Sequence, residues 1–173
     1  MGEEIYRGRI VNLRKEKVEL PNGATTTLEL MEHPGASAIV AVEQGEVILI
    51  RQYRFAASGF LWEIPAGTLD PNEEPAACAK RELREEAGVD ASDWMKLGQI
   101  FTVPGFCNEV IYVYLAQELS AAAFDRDQDE VITEVRRVAL DEALAMIERG
   151  EIQDAKSCYG LFRAAQHLAK NAP

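Results

Sequence analysis

Residues Gly67–Val89 read GTLDPNEEPAACAKRELREEAGV, and this stretch decides the fold. Its second half has the pattern of an amphipathic helix. Glu82, Glu85 and Glu86 fall at i, i+3 and i+4, so they lie one above another on a single helix face. Carboxylates crowded in this way repel one another unless a cation sits between them. Hard divalent ions such as Mg²⁺ take oxygen ligands of this kind, usually with substrate phosphates as further ligands. A glutamate-rich face is otherwise plain solvated surface. The surroundings favour the metal reading. Pro75 stands at the first helical position. Ala76, Ala79, Leu83 and Ala87 form an apolar stripe that anchors the helix on a core. Gly88 closes the helix as a left-handed cap. Upstream, Trp62–Gly67 reads as a short strand ending in a Pro/Gly turn. The expected unit is strand, loop, helix, with acidic side chains presented at the loop.

The chain of 173 residues suffices for one main domain and a small appendage, and its apolar share of 47% is that of an ordinary globular protein. No apolar run is long enough to span a membrane. No charged-then-apolar leader opens the sequence, so a cytoplasmic address is expected. The net charge of −11 disfavours nucleic acid, which needs clustered Lys and Arg. It leaves room for a small anionic substrate, because a bound metal reverses the local sign. Cys78, Cys107 and Cys158 are far apart in sequence and read as unpaired thiols in a reducing compartment. Neither His33 nor His167 sits near a Ser or Cys motif, which argues against a nucleophilic triad.

Working outward, residues 4–20 alternate in places, and Pro21-Asn22-Gly23 is a turn signal before Thr25–Leu30. An antiparallel N-terminal sheet of two or three strands follows, with too few large apolar residues for its own core; a second subunit is the expected cover. Pro34-Gly35 marks a boundary, giving residues 1–35 as this sheet and 36–173 as the main domain. Ala36–Val42 reads as a buried strand, with Glu46–Tyr53 as its hairpin partner across Gln44-Gly45. Arg51 and Arg54 end that strand near the carboxylate helix and suit bidentate phosphate binding. Strands are expected at Trp94–Thr102, Val110–Ala116 and Val131–Val138, and helices at Leu140–Arg149 and Gln153–Lys170. Ala155, Tyr159, Phe162, Ala165 and Leu168 are placed on or near one face of the last helix. The acidic run Asp125–Glu130 lies before the last strand.

Gly67, five residues, Glu73, seven residues, Arg81-Glu82-Leu83, one residue, Glu85-Glu86, one residue, Gly88-Val89: this spacing resembles the complete Nudix box. The resemblance implies an α+β fold, an α/β/α sandwich around a mixed sheet, and a divalent-metal hydrolase that cleaves a nucleoside diphosphate linked to another moiety. Gln52-Tyr53-Arg54, Trp62–Gly67, His33-Pro34-Gly35-Ala36 and Pro104–Glu109 are similar to the ADP-ribose pyrophosphatase branch. That branch implies homodimers with intertwined N-terminal sheets and active sites shared between subunits.

The resemblance assigns the roles. Glu82, Glu86 and the Ala66 carbonyl hold Mg²⁺, with Mn²⁺ as a substitute, and Glu85 is shared between metals or waters. Arg81 orients the carboxylates. The base comes from the acidic loop: Glu130 fits best, and Asp127 and Asp129 remain alternatives as bases or extra ligands. Arg54 contacts a phosphate. Glu63 bonds a ribose or base edge, or is structural. Phe106 lines the terminal ribose pocket, or simply packs. Lys156 lies near substrate or faces solvent. ADP-ribose would yield AMP and ribose 5-phosphate; GDP-mannose or another nucleotide sugar is the alternative substrate. A silent nucleotide-binding domain is a third reading, disfavoured because every box carboxylate is present. The branch stacks adenine on N-terminal aromatics, and here Tyr6 is the single aromatic before residue 36, which leaves base preference open.

Overall fold

A computed structural model describes residues 2–123 and 131–171. Three strands, β1 (Glu3–Arg7), β2 (Asn12–Glu19) and β3 (Thr25–Glu32), form an antiparallel sheet in that order. None of their residues is buried. The sheet meets the rest of the chain at Met31, whose N–H donates to the Phe106 carbonyl at 2.7 Å and whose carbonyl accepts from the Asn108 N–H at 3.2 Å.

The larger sheet has seven strands, β4 (Ala36–Glu43), β5 (Glu46–Arg54), β6 (Gly59–Glu63), β7 (Ala66–Thr68), β8 (Val89–Phe101), β9 (Val110–Ala121) and β10 (Ile132–Ala139). The order is β10-β5-β4-β9-β8, with β6 added to β5 and β7 to β4. β4 and β9 run parallel and the other pairs antiparallel, so the sheet is mixed. Helix α1 (Pro75–Ala87) covers one face; α2 (Leu140–Glu148) and α3 (Ala155–Lys170) cover the other. The period of a strand explains the two cores. Ala38, Val40 and Val42 of β4 pack with Ala143, Met146, Leu161 and Ala164. Ile39 and Ala41 pack with Ala79, Leu83 and Ala87. A central strand covered on both sides is apolar throughout. The chain is therefore the α/β/α sandwich with a small antiparallel sheet that its sequence implies.

Three details differ from the sequence reading. Trp62–Gly67 is two strands, because Pro65 supplies no N–H to a ladder; its carbonyl instead accepts from the Ile39 N–H at 2.8 Å. β8 begins at Val89 rather than Trp94, since its polar start pairs with Gln117–Ala121, a partner that is distant in sequence. The helix faces are also rotated. Ala76 is exposed and Cys78 buried in α1, and α3 buries Ser157, Gly160, Leu161 and Ala164 while Ala155 and Phe162 face outward.

The cleft arises from strand divergence. β4 and β5 pair only at Val42↔Val47 and Glu43↔Glu46; the Gln44-Gly45 turn has positive φ at both positions, as a two-residue hairpin requires. Beyond it β5 pairs with β10 and β6, while β4 pairs with β7 and β9. Ile64-Pro65 carries the chain from one side to the other.

Candidate active site

Helix α1 is fixed before its glutamates can act. The Ser37 hydroxyl donates to the Pro75 carbonyl at 2.7 Å, and Gly88, at φ 64°, donates its N–H to the Arg84 carbonyl. The box glutamates are not a solvated face: Glu82 is 5% exposed and Glu86 is 0%. Glu86 Oε2 accepts from the Ala66 N–H at 2.7 Å. The register of β7 does the rest. Ile39 N–H donates to Pro65 O and Leu69 N–H to Gly35 O. Residues of the opposite parity point their peptide groups away from β4. Ala66 thus turns its carbonyl, like its N–H, away from β4. Gly67 leaves no room for a side chain, since a Cβ there would stand 1.8 Å from Glu82 Oε1.

Arg81 is the hub of this wall. It donates from Nε and Nη2 to both oxygens of Glu73, each at 2.9 Å, and from Nη1 to Glu82 at 2.6 Å and Glu85 at 2.8 Å. Nη2 also reaches the Thr68 carbonyl at 3.1 Å. The hydrogen bond to Glu73, then the neighbouring carboxylates, raise the Arg81 pKa further above its ordinary value. The same bond holds the Glu73 carboxyl below the usual range. Burial pushes the Cys78 thiol up to about 12, with the nearby carboxylates adding to the shift, so it stays protonated and inert.

The acidic wall suits a cation. Among the described residues no three His, Cys, Asp or Glu side chains stand ready around a point; Arg81 occupies the position between Glu82 and Glu85. Its single charge nevertheless meets Glu73, Glu82 and Glu85, and Glu86 adds another buried carboxylate. An all-oxygen set with excess negative charge fits a hard divalent ion.

The opposite wall is built differently. Glu63 ends β6 at 1% exposure and binds two cations. Arg54 donates from Nε at 3.0 Å and Nη2 at 2.8 Å, and Lys156 from Nζ at 2.6 Å. Burial raises the Glu63 pKa, but the Arg54 hydrogen bond and the Lys156 and Arg54 charges together outweigh it, leaving a net depression. Lys156 also donates to Asp154 Oδ1 at 2.8 Å, the oxygen that caps α3 by accepting the Ser157 N–H. The Ser157 hydroxyl accepts from the Ile64 N–H at 2.9 Å, tying α3 to the residue after Glu63. Gly160 lets the helix come this close: a Cβ would meet Val40 and Ile64 at 3.0 Å.

Both walls face one cleft of about 1230 Å³, lined by Arg54, Glu63, Ala66, Arg81, Glu82, Glu85 and Lys156. Three expected residues among those described do not line it: Glu86, which is fully buried, Arg51 and Phe106. Arg51 points to the other side of β5 from Gln52, with its guanidinium 5.2 Å from the Phe60 ring centre. Phe106 is exposed in the loop that pairs with Met31. Asp127, Asp129 and Glu130 lie outside the described residues; Val131, the next residue, lines the cleft and accepts the Tyr53 N–H at 3.0 Å. Sequence reading gave no role to Gln52, Asp154, His33 or Glu109, which line the cleft too. Gln52 had a signal, a polar residue continuing the buried Ile48-Ile50 face, and Asp154 another, an N-cap three residues before Ser157. His33 meets Glu109 at 3.3 Å across a sequence gap that no local pattern spans.

The NUDIX domain model matches residues 31–158, a span that includes Arg54, Glu63, Ala66, Glu73, Arg81, Glu82, Glu85, Glu86 and Lys156. The chain belongs to the NUDIX family. It is an enzyme of that family, a pyrophosphohydrolase. It is 42% identical to an ADP-ribose pyrophosphatase of Bacillus subtilis over 92% of this chain and 87% of the relative. It is 39% identical to a methanol dehydrogenase activator of Bacillus methanolicus over 90% and 85% of the two chains. A GDP-mannose pyrophosphatase of Citrobacter koseri is 35% identical over 87% and 76%. A solved structure, the crystal structure of an ADP compounds hydrolase, superposes with a TM-score of 0.86 at 25% identity, covering 99% of this chain and 94% of the other.

Proposed function

We propose that this NUDIX enzyme hydrolyses the pyrophosphate bond of ADP-ribose, giving AMP and ribose 5-phosphate, with Mg²⁺ as its ion. The observation that carries the reading is an acidic wall, with Glu82 and Glu85 lining the cleft and Glu86 buried on the same helix, set across that cleft from a wall bearing Arg54 and Lys156. The similarity to an ADP-ribose pyrophosphatase supports the substrate.

Glu82, Glu86 and the Ala66 carbonyl would hold the ion, and Glu85 would share its waters. Bound there, Mg²⁺ screens the pyrophosphate charge and polarises a phosphoryl group. The residues of the chain do the remainder. Ala66 and Gly67 fix where Glu86 and Glu82 stand. Arg81 orients Glu82 and Glu85 through its ion pairs. Arg54, held in place on Glu63 and lining the cleft, steers a phosphate. Glu130 accepts the proton of the attacking water; its neighbour Val131 at the cleft supports that assignment.

The N-terminal sheet would close a homodimer. Ile5, Tyr6, Ile10 and Leu28 are all more than two-fifths exposed, as residues awaiting a cover are. Tyr53 is the one aromatic ring of Phe, Tyr or Trp type lining the cleft among the described residues, so a base platform from a second subunit is consistent with the reading.

Hydrolysis of ADP-ribose and GDP-mannose under the same Mg²⁺ conditions tests the substrate. Higher kcat/KM for ADP-ribose is expected. Equal or better turnover of GDP-mannose would move the assignment to the second reading, which the GDP-mannose pyrophosphatase relative favours.

A further inference from the structure

Gln52 occupies an unusual place. It is 3% exposed, lies on β5 two residues before Arg54, and lines the cleft. Its Oε1 is buried and accepts no hydrogen bond from the described residues. The main chain around it is settled, with Gln52 opposite Leu61 on β6 and Ile132 on β10. Only the side-chain amide lacks a partner. A buried amide oxygen left unpaired destabilises the fold, so a position that keeps one invites explanation by a ligand. The terminal torsion of glutamine is soft and roughly two-fold. A half-turn exchanges its oxygen and nitrogen, so the side chain can offer the cleft an acceptor or a donor.

Charge narrows what meets it. Across the same cleft, the charged groups of the β6–α3 wall are balanced: Arg54 and Lys156 are matched by Glu63 and Asp154. The excess of carboxylates lies at the α1 wall. A neutral amide at this balanced wall offers an ion little beyond what Arg54 already gives a phosphate. A neutral group with paired donors and acceptors gains most, and the vicinal hydroxyls of a sugar are such a group.

We infer that Gln52 is a specificity-determining residue that hydrogen-bonds a sugar hydroxyl of the nucleotide-sugar substrate. The inference rests on the proposed activity and adds to it the part of the substrate that is read. Both the nucleoside ribose and the terminal sugar carry such hydroxyls, and the experiment separates them. Steady-state kinetics are measured for wild type and Gln52→Leu on ADP-ribose, on its analogue lacking the 2-hydroxyl of the terminal ribose, and on its analogue lacking the 2′-hydroxyl of the adenosine. Melting temperatures are measured beside them without ligand.

For wild type, KM rises roughly 10-fold for one of the two analogues, the size of one hydrogen bond. In Gln52→Leu, KM for ADP-ribose rises to that level, kcat stays within about twofold, and the same analogue suffers no further loss. Tm without ligand is unchanged or higher, because leucine buries no unpaired amide. A KM for ADP-ribose within twofold of wild type, or a deoxy penalty that persists in the variant, overturns the inference. So does a Tm lower by several degrees, which marks a structural amide. Should wild type hydrolyse neither ADP-ribose nor GDP-mannose, the proposed activity fails separately. The Tm comparison then decides Gln52: a lower value refutes an unengaged amide and an equal or higher one supports it.

Discussion

Gly67→Ala places one methyl group against the acidic wall and nothing else. Gly67 lies in β7 and is not among the positive-φ glycines, so backbone strain is not the issue. The new Cβ would lie 1.8 Å from Glu82 Oε1, 2.0 Å from its Cδ and 2.4 Å from Oε2. All three are well inside contact distance, so the carboxylate must retreat by more than an ångström. Retreat breaks the 2.6 Å bond from Arg81 Nη1 and moves a group buried at 5% exposure. Overpacking of this kind costs about 2 kcal/mol, or roughly 4–8 °C in Tm for a chain of this length. Misplacing a positioned group by about 1 Å costs on the order of 10²-fold in rate.

The assay is AMP release from ADP-ribose, with thermal melting as the structural control. Gly67→Ala is expected to lose about 10²-fold in kcat/KM. The decisive comparison is made in a Glu82→Gln background. If the methyl acts through Glu82, adding Gly67→Ala to that variant lowers activity little further, because the two changes share one target. Wild-type activity within threefold for Gly67→Ala would refute the reasoning, and so would a full additional 10²-fold loss in the Glu82→Gln background.

Three other perturbations follow from the same geometry. Glu86→Gln keeps an oxygen for the Ala66 N–H but removes a charge from the proposed ion site, so Tm should hold while kcat/KM falls roughly 10³-fold; wild-type rates would reject the metal-helix account. Glu63→Gln leaves Arg54 and Lys156 facing a neutral amide and should cost about 2 kcal/mol, a figure reduced because Arg54 is partly solvated. The Glu63 carboxyl titrates below its ordinary 4.5 in the fold, so its stabilising effect is full above that pH and disappears as pH falls through the lowered folded pKa. The Tm gap between wild type and Glu63→Gln should therefore narrow between pH 7 and pH 3; a constant gap sinks the claim. Arg54→Lys keeps charge but loses the fork that spans both Glu63 oxygens, so it should lower Tm and raise KM together, and a change in KM alone would show that the Glu63 contact is dispensable.

Local patterns carried far in this chain. The uniformly apolar run of β4, the Pro75 start and Gly88 stop of α1, and the box spacing all reflect short-range chemistry, and each is legible from neighbours within a turn or two. What failed depended on partners remote in sequence. Arg51 and Arg54 look alike as strand-end cations, yet alternation along β5 sends Arg51 onto Phe60 and Arg54 to Glu63. Phe106 faces outward because its loop is held by Met31, 75 residues earlier. The Ala155-to-Leu168 face was misphased because Ser157 and Gly160, neither strongly apolar, are the residues that meet the sheet. Glu63 read as a ligand to substrate or as structure; in the fold it is a buried ion pair with Arg54, nine residues before it, and with Lys156, from a helix 93 residues away.

The contrast between the two walls bears on how a single cleft can treat two halves of one substrate differently. On the α1 side, buried carboxylates outnumber their arginine, and an excess of negative charge in a low-dielectric setting is tolerable only where a cation is brought in. On the β6–α3 side every charge has its opposite already, at distances from 2.6 to 3.0 Å. Such a wall has little net charge, so Arg54 acts on a phosphate by its position rather than by surplus charge, and the wall is stiff, because moving Lys156 or Arg54 uncovers Glu63. Stiffness with balanced charge is what orientation of a neutral sugar requires, and surplus charge is what gripping a diphosphate through an ion requires. On the proposed function, the bond to be broken lies toward α1, and the hydroxyl-bearing group lies toward Gln52. The order of elements enforces that polarity, since β6 and β7 are consecutive strands joined by Ile64-Pro65, with Glu63 on one side of the joint and Ala66 on the other.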